Sequence, residues 1–228
     1  MSERDGGSNE GGGRGGGLRG VRGEKEALRA SMRERLSRLD GESRERGSEA
    51  VCRRLAALPA FAAAETVLVY LAMRGWREEG RVAEVCCDGL IDACWASGKR
   101  VCGPRIDWAS RLMTPAELRA GDEVEVRYYD VPEPRGEAAA VGLEEIGLVL
   151  TPGLAFDRER RRLGRGAGFY DRFLVEYDAA RGAGKDDAGR SGVVVGLAFD
   201  GQVVQRAPAE AHDRLVDVLV TETETIGG

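Results

Sequence analysis

With 228 residues, 42% of them hydrophobic, the chain is ample for one core and marginal for two. A formal net charge of −5 and a pI near 5.3 argue against a general nucleic-acid binder, which presents a basic face. No run approaches the ~18 apolar residues of a membrane span, and MSERDGGSNEGGGRGGGLRG lacks a signal peptide's apolar core, so a cytoplasmic protein is expected.

Residues 1–23 are rich in Gly, Ser and charge, a composition that cannot offset the entropy of ordering. They are expected to form a disordered tail before one domain over 24–228. Glu3, Asp5 and Glu10 in that tail weigh against a transit peptide. From Glu24 the pattern changes. Leu28, Met32, Leu36 and Leu39 share one helical face, with Lys25, Arg29, Arg33 and Arg35 elsewhere. A second helix is expected over 42–57, stopping before Pro59. TVLVYLA (66–72) reads as a buried strand, 81–97 as a helix, RVCGP (100–104) and IGLVLTP (146–152) as strands. A glycine-rich loop precedes a helix over 169–181. A loop (182–190), a strand GVVVGLAF (192–199), a tight turn at Asp200-Gly201 and a last strand LVDVLVT (215–221) follow. This alternation predicts an α/β protein: an open, mostly parallel sheet with flanking helices, a Rossmann-like three-layer single domain.

Five cysteines (Cys52, Cys86, Cys87, Cys94, Cys102) and a single histidine lack metal-site spacing and are expected to be reduced, mostly buried residues.

The chemistry concentrates in RRLGRGAGFYDRF (161–173). Bare backbone amides and guanidinium groups are what phosphate oxygens need. The string is neither a G-x-x-x-x-G-K-[ST] P-loop nor a dinucleotide G-x-G-x-x-G, since its spacing is G-x-G-x-G. A plain surface turn has the same composition. Against that, Arg162 and Arg165 bracket the glycines, and the following helix adds partial positive charge at its N-terminus. Asp171 in that helix's first turn either caps it or holds Mg²⁺ against phosphate.

TPGLAFDRERRRLGRGAGFYDRFL resembles the signature of the 5-formyltetrahydrofolate cyclo-ligase (methenyltetrahydrofolate synthetase) family, with Phe169 where the family usually has Tyr and Ala167 at a variable position. KEALRASMRERL (25–36), VLVYLAMRGWREE (67–79), YYDVPEP (128–134) and VGLAFDGQVVQRAPAEAHDRLVDVLVTE (195–222) match further blocks in order. The resemblance implies ATP-dependent closure of 5-formyltetrahydrofolate to 5,10-methenyltetrahydrofolate, with ATP as co-substrate and Mg²⁺ as cofactor. It implies ATP contacts at Lys25, Arg29, Arg162, Leu163, Gly164, Arg165, Gly166, Ala167, Gly168, Phe169 and Tyr170. Arg165 and Tyr170 are the implied catalytic residues, and Asp171 and Asp213 the Mg²⁺ carboxylates. Met73 and Glu78 would contact the folate; the family's Glu-x-x-Thr is broken in WREEG, which leaves Glu78 or Glu79 as the acid. A reduced folate is the expected partner, with no nucleic acid, no membrane and a monomeric state. Two other readings stay open: a non-catalytic folate or nucleotide binder, and another phosphate-binding enzyme on the same scaffold.

Overall fold

Strand sequences without polar alternation need cover on both faces, and this fold supplies it. The computed structural model describes residues 15–73, 82–128, 130–183, 192–210 and 213–228. Helices α1 (Gly15–Ser37), α2 (Gly41–Ala56) and α3 (Pro59–Ala63) lead into strand β1 (Thr66–Leu68). Helix α4 (Asp88–Ala96) and strands β2 (Arg100–Asp107), β3 (Leu112–Leu118), β4 (Val124–Val126), β5 (Pro132–Pro134) and β6 (Leu148–Thr151) follow. Then come β7 (Ala155–Asp157), β8 (Arg162–Leu163), α5 (Phe169–Ala183), β9 (Val193–Leu197), β10 (Val203–Val204), β11 (Val218–Val220) and β12 (Thr225–Gly227).

The main sheet runs β12-β11-β9-β6-β1-β2-β3. It is parallel from β11 to β2 and antiparallel at both edges. Alternate residues take opposite faces. Val67, Leu148, Leu150, Val195 and Val218 pack with Met32, Leu36, Val51, Leu55 and Ile91 of α1, α2 and α4. Leu68, Val149, Val194 and Leu219 pack with Phe173, Leu174 and Tyr177 of α5. The result is the expected three-layer α/β architecture. Each fully buried Leu or Val contributes ~1.5–3 kcal/mol, which is why short strands suffice.

From β1 the chain moves to β2 and β3 on one side, then to β6, β9 and β11 on the other. The order therefore reverses between β1 and β6. A crevice opens past the carboxyl ends of strands at such a point.

Several boundaries differ from expectation. Helix α1 starts at Gly15, not Glu24, so residues 15–23 of the expected tail are helical. Pro59 ends α2, capped at its start by Asp40 accepting from Ser43 N at 2.8 Å, and opens α3. The helix expected over 81–97 is confined to Asp88–Ala96. Side chains tie down the preceding residues, which form no regular element: Ser48 Oγ accepts from Cys86 N at 2.9 Å, and Tyr70 Oη donates to Val85 O at 2.8 Å. These bonds replace the helical ones. The turn at Asp200 is a 3-10 turn over Asp200–Gln202.

Candidate active site

The glycine loop leaves a braced hairpin. Buried Asp157, at the end of β7, accepts on Oδ1 from Glu159 N and Arg161 N, each at 3.0 Å. Its Oδ2 accepts from Arg161 Nε at 2.7 Å and Ala207 N at 2.8 Å. Strand β8 then delivers Gly164 to Gly168. Gly166 (φ 111°) and Gly168 (φ 72°) take conformations that strain other residues. Three arginines hold the loop by its carbonyls: Arg29 Nε donates to Gly164 O at 3.1 Å, Arg33 Nη2 to Arg165 O at 3.3 Å, and Arg172 Nη2 to Ala167 O at 2.8 Å. Arg33, which the sequence placed only on a helix face, thus has a role in the site.

A cleft opens on each side of this loop. One, of about 720 Å³, is walled mainly by apolar groups at the β1/β6 switch point, among them Tyr70, Met73, Ile106, Trp108, Phe169 and Tyr170. Trp108 meets the Phe169 ring edge-on at 4.9 Å and Tyr128 at 6.0 Å. The buried Tyr170 hydroxyl has no hydrogen-bond partner among the described residues, and burial pushes its pKa well up. A ligand atom would complete it.

Sequence reasoning missed one carboxylate of this cleft, Glu84. Glu84, its side chain only 9% exposed, accepts on Oε1 from Arg165 Nε at 3.1 Å and Nη2 at 2.9 Å. Its Oε2 accepts from Met73 N at 3.4 Å. The available signal was a lone acid inside the apolar string VAEVCC (82–87). Glu78 and its neighbour Glu79 lie outside the described residues.

The second cleft, of about 880 Å³, is the more polar of the two and is lined mostly by charged residues, among them Lys25, Arg29, Asp171, Glu210 and Asp213. Lys25 Nζ donates to Glu210 Oε2 at 2.8 Å and Asp213 Oδ2 at 2.7 Å. Burial lowers the Lys25 pKa, but the two carboxylates outweigh burial and hold it above its ordinary value. Buried Arg162 pairs with Asp171, and its guanidinium lies 5.6 Å from the Tyr170 ring centre.

The expected ATP stretch is therefore divided. Arg162, Gly164, Gly168 and Asp171 line both clefts; Leu163 and Gly166 line only the polar one. Arg165, Ala167, Phe169 and Tyr170 line only the apolar one, with Met73. The Leu163 side chain is buried in the core, so backbone is what it offers a ligand. The expected metal carboxylates, Asp171 and Asp213, share the polar cleft. Among the described residues, no group of three or more His, Cys, Asp or Glu could hold a metal. No cysteine lines either cleft. All five are free, and burial lifts Cys86 and Cys102 to about 12. Among the described residues, no helix is long and apolar enough to cross a membrane. The arrangement suits an anionic ligand on one side of the loop and a flat, largely apolar one on the other.

The model of the 5-formyltetrahydrofolate cyclo-ligase family matches residues 21–222. The mouse 5-formyltetrahydrofolate cyclo-ligase is 27% identical over 213 residues, covering 89% of this chain and 95% of the mouse protein. The Escherichia coli K12 enzyme of the same name is 27% identical over 195 residues, covering 85% of this chain and 97% of its own. An NMR structure of Aquifex aeolicus 5,10-methenyltetrahydrofolate synthetase superposes with a TM-score of 0.70 at 30% identity, over 88% of this chain and 91% of that one. The Mycoplasma pneumoniae 5,10-methenyltetrahydrofolate synthetase shares the fold, with a TM-score of 0.63 at 18% identity, over 87% of this chain and 99% of its own.

Proposed function

Because the chain belongs to the 5-formyltetrahydrofolate cyclo-ligase family, we propose that it converts 5-formyltetrahydrofolate and ATP into 5,10-methenyltetrahydrofolate, ADP and phosphate. The observation that carries this reading is the pair of chemically unlike clefts sharing one glycine loop. A formamide carbon is a poor electrophile with a poor leaving group. The γ-phosphoryl passes from ATP to the formyl oxygen, leaving ADP. The N10 lone pair then attacks the formyl carbon, N10 loses its proton, and the C–O bond breaks to release phosphate. Such chemistry asks for positioning and charge neutralisation rather than a protein nucleophile.

The reduced folate takes the apolar cleft, its ring against Met73 and Trp108. Its pterin N–H donors go to Glu84, a nearly buried carboxylate in that wall. Tyr170 donates its unpartnered hydroxyl to the same ligand. ATP takes the polar cleft, with phosphates on Lys25, Arg29, Arg162 and the amides of the loop, and Arg165 meeting the transferred group. Asp171 and Asp213 suit Mg²⁺, which is commonly held by one or two carboxylates plus phosphate oxygens. Bound there, Mg²⁺ would neutralise charge building on the phosphates. One chain supplies every named group, and we assign the working unit as a monomer without nucleic acid or membrane.

The test is direct. Purified protein mixed with 5-formyltetrahydrofolate, ATP and Mg²⁺ should develop the near-ultraviolet absorbance of the methenyl product and release one ADP per product. Folded protein that develops none is no cyclo-ligase; if it still binds folate, it is a non-catalytic relative.

A further inference from the structure

Arg165 is on the unexpected side of its loop. It lines the apolar cleft and not the polar one, and both Nε and Nη2 donate to Glu84 Oε1. A cation meant for a transferring phosphoryl group is thus engaged by the carboxylate of the neighbouring cleft. We propose that the Arg165–Glu84 ion pair is an interlock between the two clefts, which withholds Arg165 from the nucleotide until a folate takes over Glu84. The inference rests on the two-cleft reading above.

The pair is asymmetric, and the asymmetry sets the direction. Glu84 is the buried member, with 9% of its side chain exposed against 35% for Arg165. Apart from Arg165, the partner on Glu84 among the described residues is the Met73 amide at 3.4 Å, a long bond. If Arg165 left unaided, a nearly dry carboxylate would keep one weak donor, and a buried ion stripped of its partner is strongly unfavourable. Arg165 faces a smaller penalty, because water already reaches a third of its side chain. Its carbonyl accepts from Arg33 Nη2 at 3.3 Å, a contact that movement of the side chain need not break. The side chain is therefore the moving part, and Glu84 is what retains it.

A pterin edge carries an exocyclic amine beside a ring N–H, two parallel donors with the spacing of a carboxylate's two oxygens. Docked on Glu84, it supplies the hydrogen bonds that Arg165 provides in this structure. Arg165 is then free to turn across the shared wall of Gly164 and Gly168 toward the phosphates in the polar cleft. Without folate, ATP meets a loop lacking that guanidinium, and water is a poor recipient of its phosphoryl group. Binding linkage is reciprocal, so nucleotide must tighten folate by the factor with which folate tightens nucleotide.

The test measures that factor by titration calorimetry. The probe is a non-hydrolysable ATP analogue with Mg²⁺, titrated with and without saturating tetrahydrofolate lacking the formyl group. In the wild-type protein the folate should lower the analogue's Kd about tenfold, about 1.4 kcal/mol of coupling. Glu84→Gln should abolish the coupling by making the folate-free protein bind as tightly as the folate-bound wild type. Arg165→Gln should abolish it the opposite way, binding weakly in both states; a glutamine amide can still donate to Glu84, which keeps a second variant available if the first fails to fold. Equal Kd values with and without folate in the wild type overturn the interlock while leaving the two clefts standing. So does a folded Glu84→Gln protein whose folate-free Kd matches the wild type's. If the wild type binds neither ligand, the two-cleft reading falls and the interlock with it.

Discussion

The Asp171 carboxylate pairs with Arg162 and is 42% exposed, so this bond alone is worth at most about 1 kcal/mol. Asp171→Asn keeps the side chain's shape and its capacity to accept hydrogen bonds. If Asp171 also holds Mg²⁺, the variant should melt nearly normally yet lose about 10²-fold or more in turnover, and its half-saturating Mg²⁺ should rise. Normal turnover at unchanged Mg²⁺ demand would reduce Asp171 to a partner of Arg162. Glu133 offers a contrasting case. It is fully buried in β5, with Oε2 accepting from Ile106 N at 3.0 Å and Oε1 unpartnered among the described residues. Burial raises its pKa, opposed by the Ile106 bond. A carboxyl with a folded value above its unfolded one favours folding at low pH, and that contribution is lost as pH rises through the folded value. Glu133→Gln should therefore raise Tm by about 2–4 °C at pH 7, the shift that ~1 kcal/mol gives a chain of this size. The gain should disappear below about pH 4, where both proteins are neutral at this position. An equal gain at both pH values would mean that packing, not charge, is responsible.

Helix α1 illustrates why some elements were easier to read than others. Its apolar face and its cations were legible from Leu28, Met32, Leu36, Lys25 and Arg29, yet its start was placed at Glu24 because the glycines before it are weak helix formers. Arg22 lines the polar cleft from within those earlier turns. Removing residues 1–14 should thus leave the KM for ATP unchanged, whereas removing 1–23 should raise it several-fold with little effect on the KM for folate. Equal effects of the two truncations would take Arg22 out of the site. Strands β1, β6 and β9 could be read because burial on both faces leaves uninterrupted apolar runs. Strand β3 could not, since Pro115 and the polar residues of LMTPAEL (112–118) suit an edge strand and an irregular segment equally. Glu84 escaped for another reason. It lies on irregular chain tied down by Ser48 and Tyr70, contacts between segments distant in sequence that no local periodicity encodes. The glycine loop, by contrast, carries its chemistry in consecutive residues and was legible as a string. That the loop has two sides was not.

At the scale of the molecule, the crevice follows from topology, since strand order reverses between β1 and β6 and side chains from both halves of the sheet meet there. The polar cleft makes a harder demand. It joins α1 to the segment before β11, and the Lys25–Asp213 bond spans 188 positions. During vectorial synthesis Lys25 leaves the ribosome well before the carboxylates it pairs with, which lie 185 and 188 positions later. Until then it has neither Glu210 nor Asp213, and Asp157, which braces the hairpin before the glycine loop, lacks the Ala207 amide. Nucleotide cannot therefore guide the early stages of folding. It can stabilise only a finished chain, by mass action on the native state. If nucleotide binds as proposed, chains truncated before residue 213 should lose that stabilisation, so ATP should slow proteolysis of the 228-residue chain but not of the truncated one.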